Sequence, residues 1–223
     1  MSKPGKLIVF DWDGTLMDSE ARIVACLREA IRETGLPERS NSELSNIIGL
    51  GLREALQTLY PEGDDPIYDT LVSHYRHHFL NVDPTPSPVF DGAEMLLQKL
   101  QAQGHYLAIA TGKGRHGLDK VLLETGLDRY FDYTRCADEA FSKPHPQMLL
   151  DIMTQLGVEA GSTLMIGDTE YDIKMAHNAR VAALAVSYGV HDHTRLLEAN
   201  PLDCVTSLSE LDNWLDNYLS HAA

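Results

Sequence analysis

Two aspartates stand two residues apart in Asp11-Trp12-Asp13-Gly14-Thr15. In extended backbone such residues point to the same side, so both carboxylates approach one centre. There they repel each other unless a divalent cation or a shared proton lies between them, which makes the stretch a candidate metal site or acid/base pair. An Asp-Gly turn is also ordinary loop chemistry. A second stretch, Thr111-Gly112-Lys113-Gly114, offers a hydroxyl and free backbone N–H groups ahead of a helix, a setting that suits a phosphate oxygen. The same residues make a common N-cap, and the spacing is not that of a phosphate-binding loop. In Gly167-Asp168-Thr169-Glu170-Tyr171-Asp172, the acids Asp168 and Asp172 lie one helical turn apart on one face; acids in a first turn also complement the helix dipole. In Ser142-Lys143-Pro144-His145-Pro146, Pro144 is placed to open a helix with Lys143 at its mouth.

The elements that must hold these residues are legible as four apolar runs: residues 6–10 (KLIVF), 106–110 (YLAIA), 163–167 (TLMIG) and 181–186 (VAALAV). They are continuous rather than alternating, as in parallel strands covered on both faces. Helical patterns lie between them. Met148, Leu149, Ile152, Met153 and Leu156 repeat at helical spacing before Gly157. Ser207-Leu208-Ser209-Glu210 reads as a capping box opening the last helix. The fold class is therefore α/β with a doubly wound parallel sheet, whose ligand site belongs at the carboxyl ends of the strands. All four polar motifs follow or precede those ends.

One interval breaks the alternation. From about residue 19 to 82 the pattern is helical, with Ile23, Leu27 and Ile31 four apart, and Pro84, Pro86 and Pro88 mark a stiff return. The expected organisation is a core of residues 1–17 and 84–223 with an all-helical subdomain, 18–83, inserted over the strand ends as a lid.

Composition narrows the partners. With 33 acidic and 18 basic residues the 223-residue chain carries a formal charge of −15. That field disfavours nucleic acid and anionic membrane but leaves room for a locally positive pocket. No apolar stretch reaches the roughly 20 residues that span a bilayer, and the N-terminal MSKPGKLIVF is too short an apolar run for a signal peptide. Cys26, Cys136 and Cys204 fall in no metal or redox spacing and read as buried thiols, so a reducing cytoplasm is the expected location.

Taken together, Asp11-Trp-Asp13-Gly14-Thr15, Thr111-Gly112, Lys143-Pro144 and Gly167-Asp168 with Asp172 resemble, in order, the four motifs of the haloacid dehalogenase superfamily. The layout is similar to its phosphatase branch with a helical cap after the first motif, phosphoglycolate phosphatases above all. The resemblance implies a Rossmann-like core and a Mg²⁺-dependent phosphatase acting on a small phosphorylated metabolite. It makes Asp11 the nucleophile that forms an aspartyl-phosphate and Asp13 the acid and base. It gives Mg²⁺ the carboxylates of Asp11 and Asp168 and the backbone carbonyl of Asp13, with Asp172 behind them. Thr111, Gly112 and Lys143 would hold the phosphoryl oxygens.

The same resemblance separates branches. Asp13 is superfluous for halide departure, no lysine occurs between Lys6 and Lys99 to make the Schiff base of phosphonate cleavage, and Ile23 beside Arg22 stands where sugar phosphomutases carry a basic histidine. A phosphomutase and a phosphate-binding regulatory protein are the rival readings. Phosphoglycolate is the first substrate expected, with nucleotides, sugar phosphates and pyrophosphate behind it. Arg53, after the glycine-rich Gly49-Leu50-Gly51, is the expected cap ligand for a further anion. His74, His77 and His78 read as an outer-face cluster without acidic partners, and His116 and His145 as neighbours of the motif loops. Trp12 is expected to point away from its flanking aspartates.

Overall fold

The computed structural model describes residues 5–220; the first four residues of the expected 1–17 segment and the last three of 84–223 lie outside them. Along the chain run β1 (Leu7–Phe10), α1 (Glu20–Thr34), α2 (Asn41–Asn46), α3 (Leu52–Leu59), α4 (Asp65–His77), α5 (Ala93–Ala102), β2 (Tyr106–Thr111) and α6 (Arg115–Thr125). Then come β3 (Tyr133–Cys136), α7 (Gln147–Leu156), β4 (Thr163–Gly167), α8 (Glu170–Asn178), β5 (Ala182–Val186), α9 (His193–Glu198), β6 (Cys204–Val205) and α10 (Leu208–Ser220). The strands form one parallel sheet in the order β3-β2-β1-β4-β5-β6, with β1 paired to β2 and β4.

The continuous apolar runs exist because both faces of the sheet are covered. Ile8 and Phe10 of β1 join Leu107, Ile109, Leu164 and Ile166 against α5, α6 and α10. Leu7 and Val9 join Ala108, Ala110 and Met165 against α7 and α8 on the other side. Gly157 ends α7 at φ 66°, a left-handed conformation that glycine adopts without steric cost.

Helices α1 to α4 build a separate apolar cluster in which Ile23, Leu27 and Ile31 of α1 meet Leu44, Leu56 and Leu71. The chain leaves the core and re-enters it side by side. Met17 and Val89 form an antiparallel bridge, the Asp18 N–H donates to the Pro88 carbonyl at 2.8 Å, and the Phe90 N–H donates to the Leu16 carbonyl at 3.0 Å.

Three local expectations are corrected. Pro144 does not open a helix, because α7 begins at Gln147 behind Pro146. The capping box at Ser207 is half formed. Its hydroxyl accepts the Glu210 N–H at 3.2 Å, but the Glu210 carboxylate turns to the Thr206 N–H at 2.7 Å. Two edge strands, β3 and β6, have no apolar run to announce them: β3 (YTRC) is half-exposed and β6 is two residues long. Among the described residues no helix is long and apolar enough to cross a membrane.

Candidate active site

Asp11 is the first residue beyond β1 and still belongs to the sheet, its N–H donating to the Ile166 carbonyl at 2.9 Å. Its neighbour Trp12 turns into the core, fully buried, with its indole N–H on Met17 Sδ at 3.3 Å. Asp168 follows β4 directly. Thr15 Oγ donates to its Oδ1 at 3.0 Å and the Val190 N–H to its Oδ2 at 2.8 Å. Two glycines clear the space it needs. A Cβ on Gly14, at φ +77°, would sit 2.1 Å from Asp168 Oδ2, and one on Gly189 would sit 2.4 Å from it. Asp172 lies in the first turn of α8, where its Oδ2 accepts the Thr169 N–H at 3.1 Å and hydroxyl at 2.7 Å, completing a capping box.

Lys143 ties these elements together. Its ammonium is 2.9 Å from Asp11 Oδ1 and 2.6 Å from Asp172 Oδ1, and it is only 2% exposed, far from the solvated loop lysine its surroundings in the sequence suggest. Oxygens of Asp11, Asp168 and Asp172 lie within 4.8 Å of one another, all buried. Three carboxylates against one ammonium leave an excess of negative charge in a dry site. Burial, then Asp172 and Asp168, push the Asp11 carboxyl well above the usual range despite Lys143. Burial and then Asp172 push Asp168 up to about 7. Burial works against the Lys143 ammonium, yet Asp11 and Asp172 more than offset it and hold the proton firmly.

A hard divalent cation fits this donor set, because carboxylate oxygens are its preferred ligands and three buried carboxylates here face a single ammonium. The Asp13 carboxylate takes no part in the cluster. Its Oδ1 accepts Ser19 Oγ at 2.6 Å and pairs with the Lys113 ammonium at 3.0 Å. Lys113 in turn sits 4.3 Å from the centre of the Phe79 ring. Thr111 is fully buried at the end of β2, and its hydroxyl oxygen accepts the Lys113 N–H at 3.1 Å.

Above Asp11 and Asp13 opens a cleft of about 720 Å³ whose opposite wall comes from α1, α3 and α4. The helical segment is seated closely on the strand ends. A Cβ on Gly112 would meet the Leu50 carbonyl oxygen at 2.4 Å, and the Gly51 N–H donates to Ser142 Oγ at 2.7 Å. Asn46 receives Tyr171 OH on its carbonyl at 2.9 Å and the Arg195 guanidinium on its side chain at 2.5 Å.

Arg53 borders this cleft, and its guanidinium is already paired. It stands in α3 with Asp65 and Asp69 each 2.5 Å from its guanidinium, because α3 and α4 pack side by side. The histidine cluster is also corrected. Glu33 of α1 reaches His74 Nδ1 at 3.2 Å and His78 Nε2 at 3.1 Å, and His78 is buried rather than on an outer face. His116 lines the cleft; His145 packs on Phe141 outside it. Sequence reasoning missed Lys113, Ser19 and Thr15, although Thr15 stands inside a motif, Lys113 one residue beyond one and Ser19 four beyond.

The match to known proteins agrees with this geometry. The model of the family "Haloacid dehalogenase-like hydrolase" matches residues 8–186. The chain is 36% identical over 209 residues to the "Probable phosphatase IndB" of Dickeya dadantii, spanning 92% of this chain and 91% of the relative. It is 33% identical over 195 residues to a phosphoglycolate phosphatase of Agrobacterium fabrum, spanning 83% and 82%. The crystal structure of "a predicted phosphatase" from Clostridium acetobutylicum superposes with a TM-score of 0.86 at 26% identity, covering 96% of this chain and 99% of that one. Sheet order, buried charge cluster and these relatives together make the chain a member of the haloacid dehalogenase-like hydrolases, an enzyme of the phosphatase type.

Proposed function

We propose that the chain hydrolyses the phosphate monoester of a small metabolite through an aspartyl-phosphate on Asp11, with Mg²⁺ as the cation and phosphoglycolate as the first substrate to test. The observation that carries this reading is the Asp11 carboxylate, with one oxygen on Lys143 and the other buried and unpartnered at the base of the cleft. Asp11 Oδ2 attacks phosphorus, the P–O bond to the leaving group breaks, and Asp13 delivers its proton to the departing oxygen. Asp13 then takes a proton from water, whose oxygen attacks the phosphorus of the aspartyl-phosphate and frees inorganic phosphate. Lys143, Thr111 and the Gly112 N–H hold the phosphoryl oxygens, and Lys143 also keeps Asp11 and Asp172 from repelling each other.

Asp11 and Asp168, with the Asp13 backbone carbonyl, would hold the Mg²⁺, and Asp172 would steady them through Lys143. When bound, the cation neutralises the surplus carboxylate charge and lets a phosphate dianion approach. Hydrolysis is favoured over mutase transfer by the first helix: Ile23 lines the cleft, and the Arg22 guanidinium is spent on the Phe79 carbonyl at 2.8 Å. Buried thiols at Cys26, Cys136 and Cys204 support a reducing, cytoplasmic setting.

Release of phosphate from p-nitrophenyl phosphate and phosphoglycolate, with MgCl₂ and with EDTA, tests the reading. Asp11→Asn is expected to lose about 10³-fold or more in kcat. Turnover indifferent to both EDTA and Asp11→Asn would overturn it.

A further inference from the structure

The geometry points to Arg76 as the specificity-determining residue of the cleft, reading a second anionic group carried by the leaving half of the substrate. The inference rests on the phosphatase reading and concerns the far wall of the same site. Arg76 lies in the last turn of α4 and reaches across the cleft toward the core. Its Nη2 is 3.9 Å, and Asp138 Oδ2 3.0 Å, from where a Cβ on Gly114 would stand, at the mouth of the Thr111–Gly114 loop.

The basic side chains among the described cleft residues are Arg53, Arg76, Lys113 and His116. Arg53 is neutralised by Asp65 and Asp69, and Lys113 by Asp13. Among the described residues Arg76 makes neither an ion pair nor a hydrogen bond, although Glu54, Asp69 and Asp138 line the same cleft. Asp69 is engaged on Arg53 and Asp138 on the Arg115 N–H at 2.9 Å, while Glu54 Oε2 is turned to Gly51, 2.5 Å from where a Cβ there would stand. The guanidinium is thus a planar fork of donors facing open volume.

Beside Arg53, Glu54 and Asp69, the helical segment lines the cleft with apolar side chains, among them Leu27, Ile48, Leu50, Val72, Tyr75 and Phe79. A charge-assisted pair formed against such a wall is worth more than one in water. A carboxylate or a second phosphate, joined to the ester oxygen through a short carbon chain, is the chemistry that matches both the open fork and the apolar surroundings.

The test compares kcat/KM for acidic esters, phosphoglycolate and 3-phosphoglycerate for a carboxylate and propane-1,3-diol bisphosphate for a second phosphate, with neutral ethyl phosphate and p-nitrophenyl phosphate. The wild type should prefer one acidic series, which identifies the anion. Arg76→Met should lower that preference about 10- to 100-fold, mostly through KM, and Arg76→Lys should restore part of it. Equal losses on acidic and neutral esters, no loss on either, or a wild-type preference for neutral esters would overturn the assignment. The two readings fail separately. Neutral-ester turnover that survives Asp11→Asn removes the phosphatase reading and the assignment with it, whereas Asp11-dependent turnover with no Arg76-dependent preference removes only the assignment.

Discussion

The two walls of the cleft are built on opposite plans. The floor, at the strand ends, is dry and charged: Asp11 and the Lys143, Asp168 and Asp172 beneath it are all buried, and each carboxylate oxygen but Asp11 Oδ2 has a backbone N–H, a hydroxyl or the lysine as partner. The roof, from α1, α3 and α4, is apolar apart from Glu54 and the paired Arg53 and Asp69, and ends in an exposed arginine that has no ion pair among the described residues. A buried ion network tolerates almost no substitution, because removing one partner strands another in low dielectric. An apolar wall holds its shape through many side-chain exchanges of similar volume. Chemistry is therefore fixed on one side, while the choice of leaving group is open to change on the other.

The hardest blow to that contrast falls on Lys143. Lys143→Met leaves three buried carboxylates without a counter-charge, and we expect a loss of about 3–5 kcal/mol in denaturant unfolding along with loss of turnover. A cost below about 1 kcal/mol would mean that the floor is not held by this ion pair. A smaller effect comes from pH. The folded Asp168 carboxyl titrates at about 7, against 3.8 for the ordinary group, so between those values the folded chain keeps a proton that the unfolded chain has lost. Without divalent cation, its contribution makes the thermal midpoint fall as pH rises from about 4 to 7, by roughly 10 °C. Asp168→Asn should flatten that slope, and MgCl₂ should raise the midpoint more at pH 8 than at pH 5; a midpoint that climbs steadily with pH to 8 in the metal-free protein and ignores Asp168→Asn contradicts the sign. The smallest effect belongs to the roof. Arg53→Met removes a surface guanidinium already occupied by Asp65 and Asp69, and kcat/KM on acidic esters should change less than about twofold. A tenfold loss there would return anion recognition to Arg53.

The floor was far more legible than the roof. Strands β1, β2, β4 and β5 announce themselves because each is buried on both faces, and the chain places a polar motif at or beside the strand ends. Strand β3 gave no such signal: as an edge strand it carries Thr134 and Arg135 half-exposed, where no apolar run is required. Arg53 misled because its partners lie 12 and 16 residues away on α4, and only the packing of α3 against α4 brings them together. His78 misled in the same way, since its burial and its carboxylate neighbour both come from α1. The sequence shows Lys143 at a motif position but not the depth at which it lies. A lysine on a loop is ordinarily solvated, and nothing local records that Asp11, 132 residues earlier, and Asp172 close over it.

The pairing of β1 sets an order on the life of the chain. Leu7 finds its neighbours at Tyr106 and Thr163, while the bridge at Met17 and Val89 closes only after the whole helical segment has been made. At about 5–20 residues per second, β1 leaves the ribosome some 5 to 20 s before β2 exists to receive it. Helices α1 to α4, whose apolar cluster is drawn almost wholly from residues 23 to 80, have what they need to collapse in that interval. The segment that roofs the finished cleft is thus able to fold before the sheet, and the strand that will carry Asp11 waits beside it as an unpaired apolar edge open to aggregation.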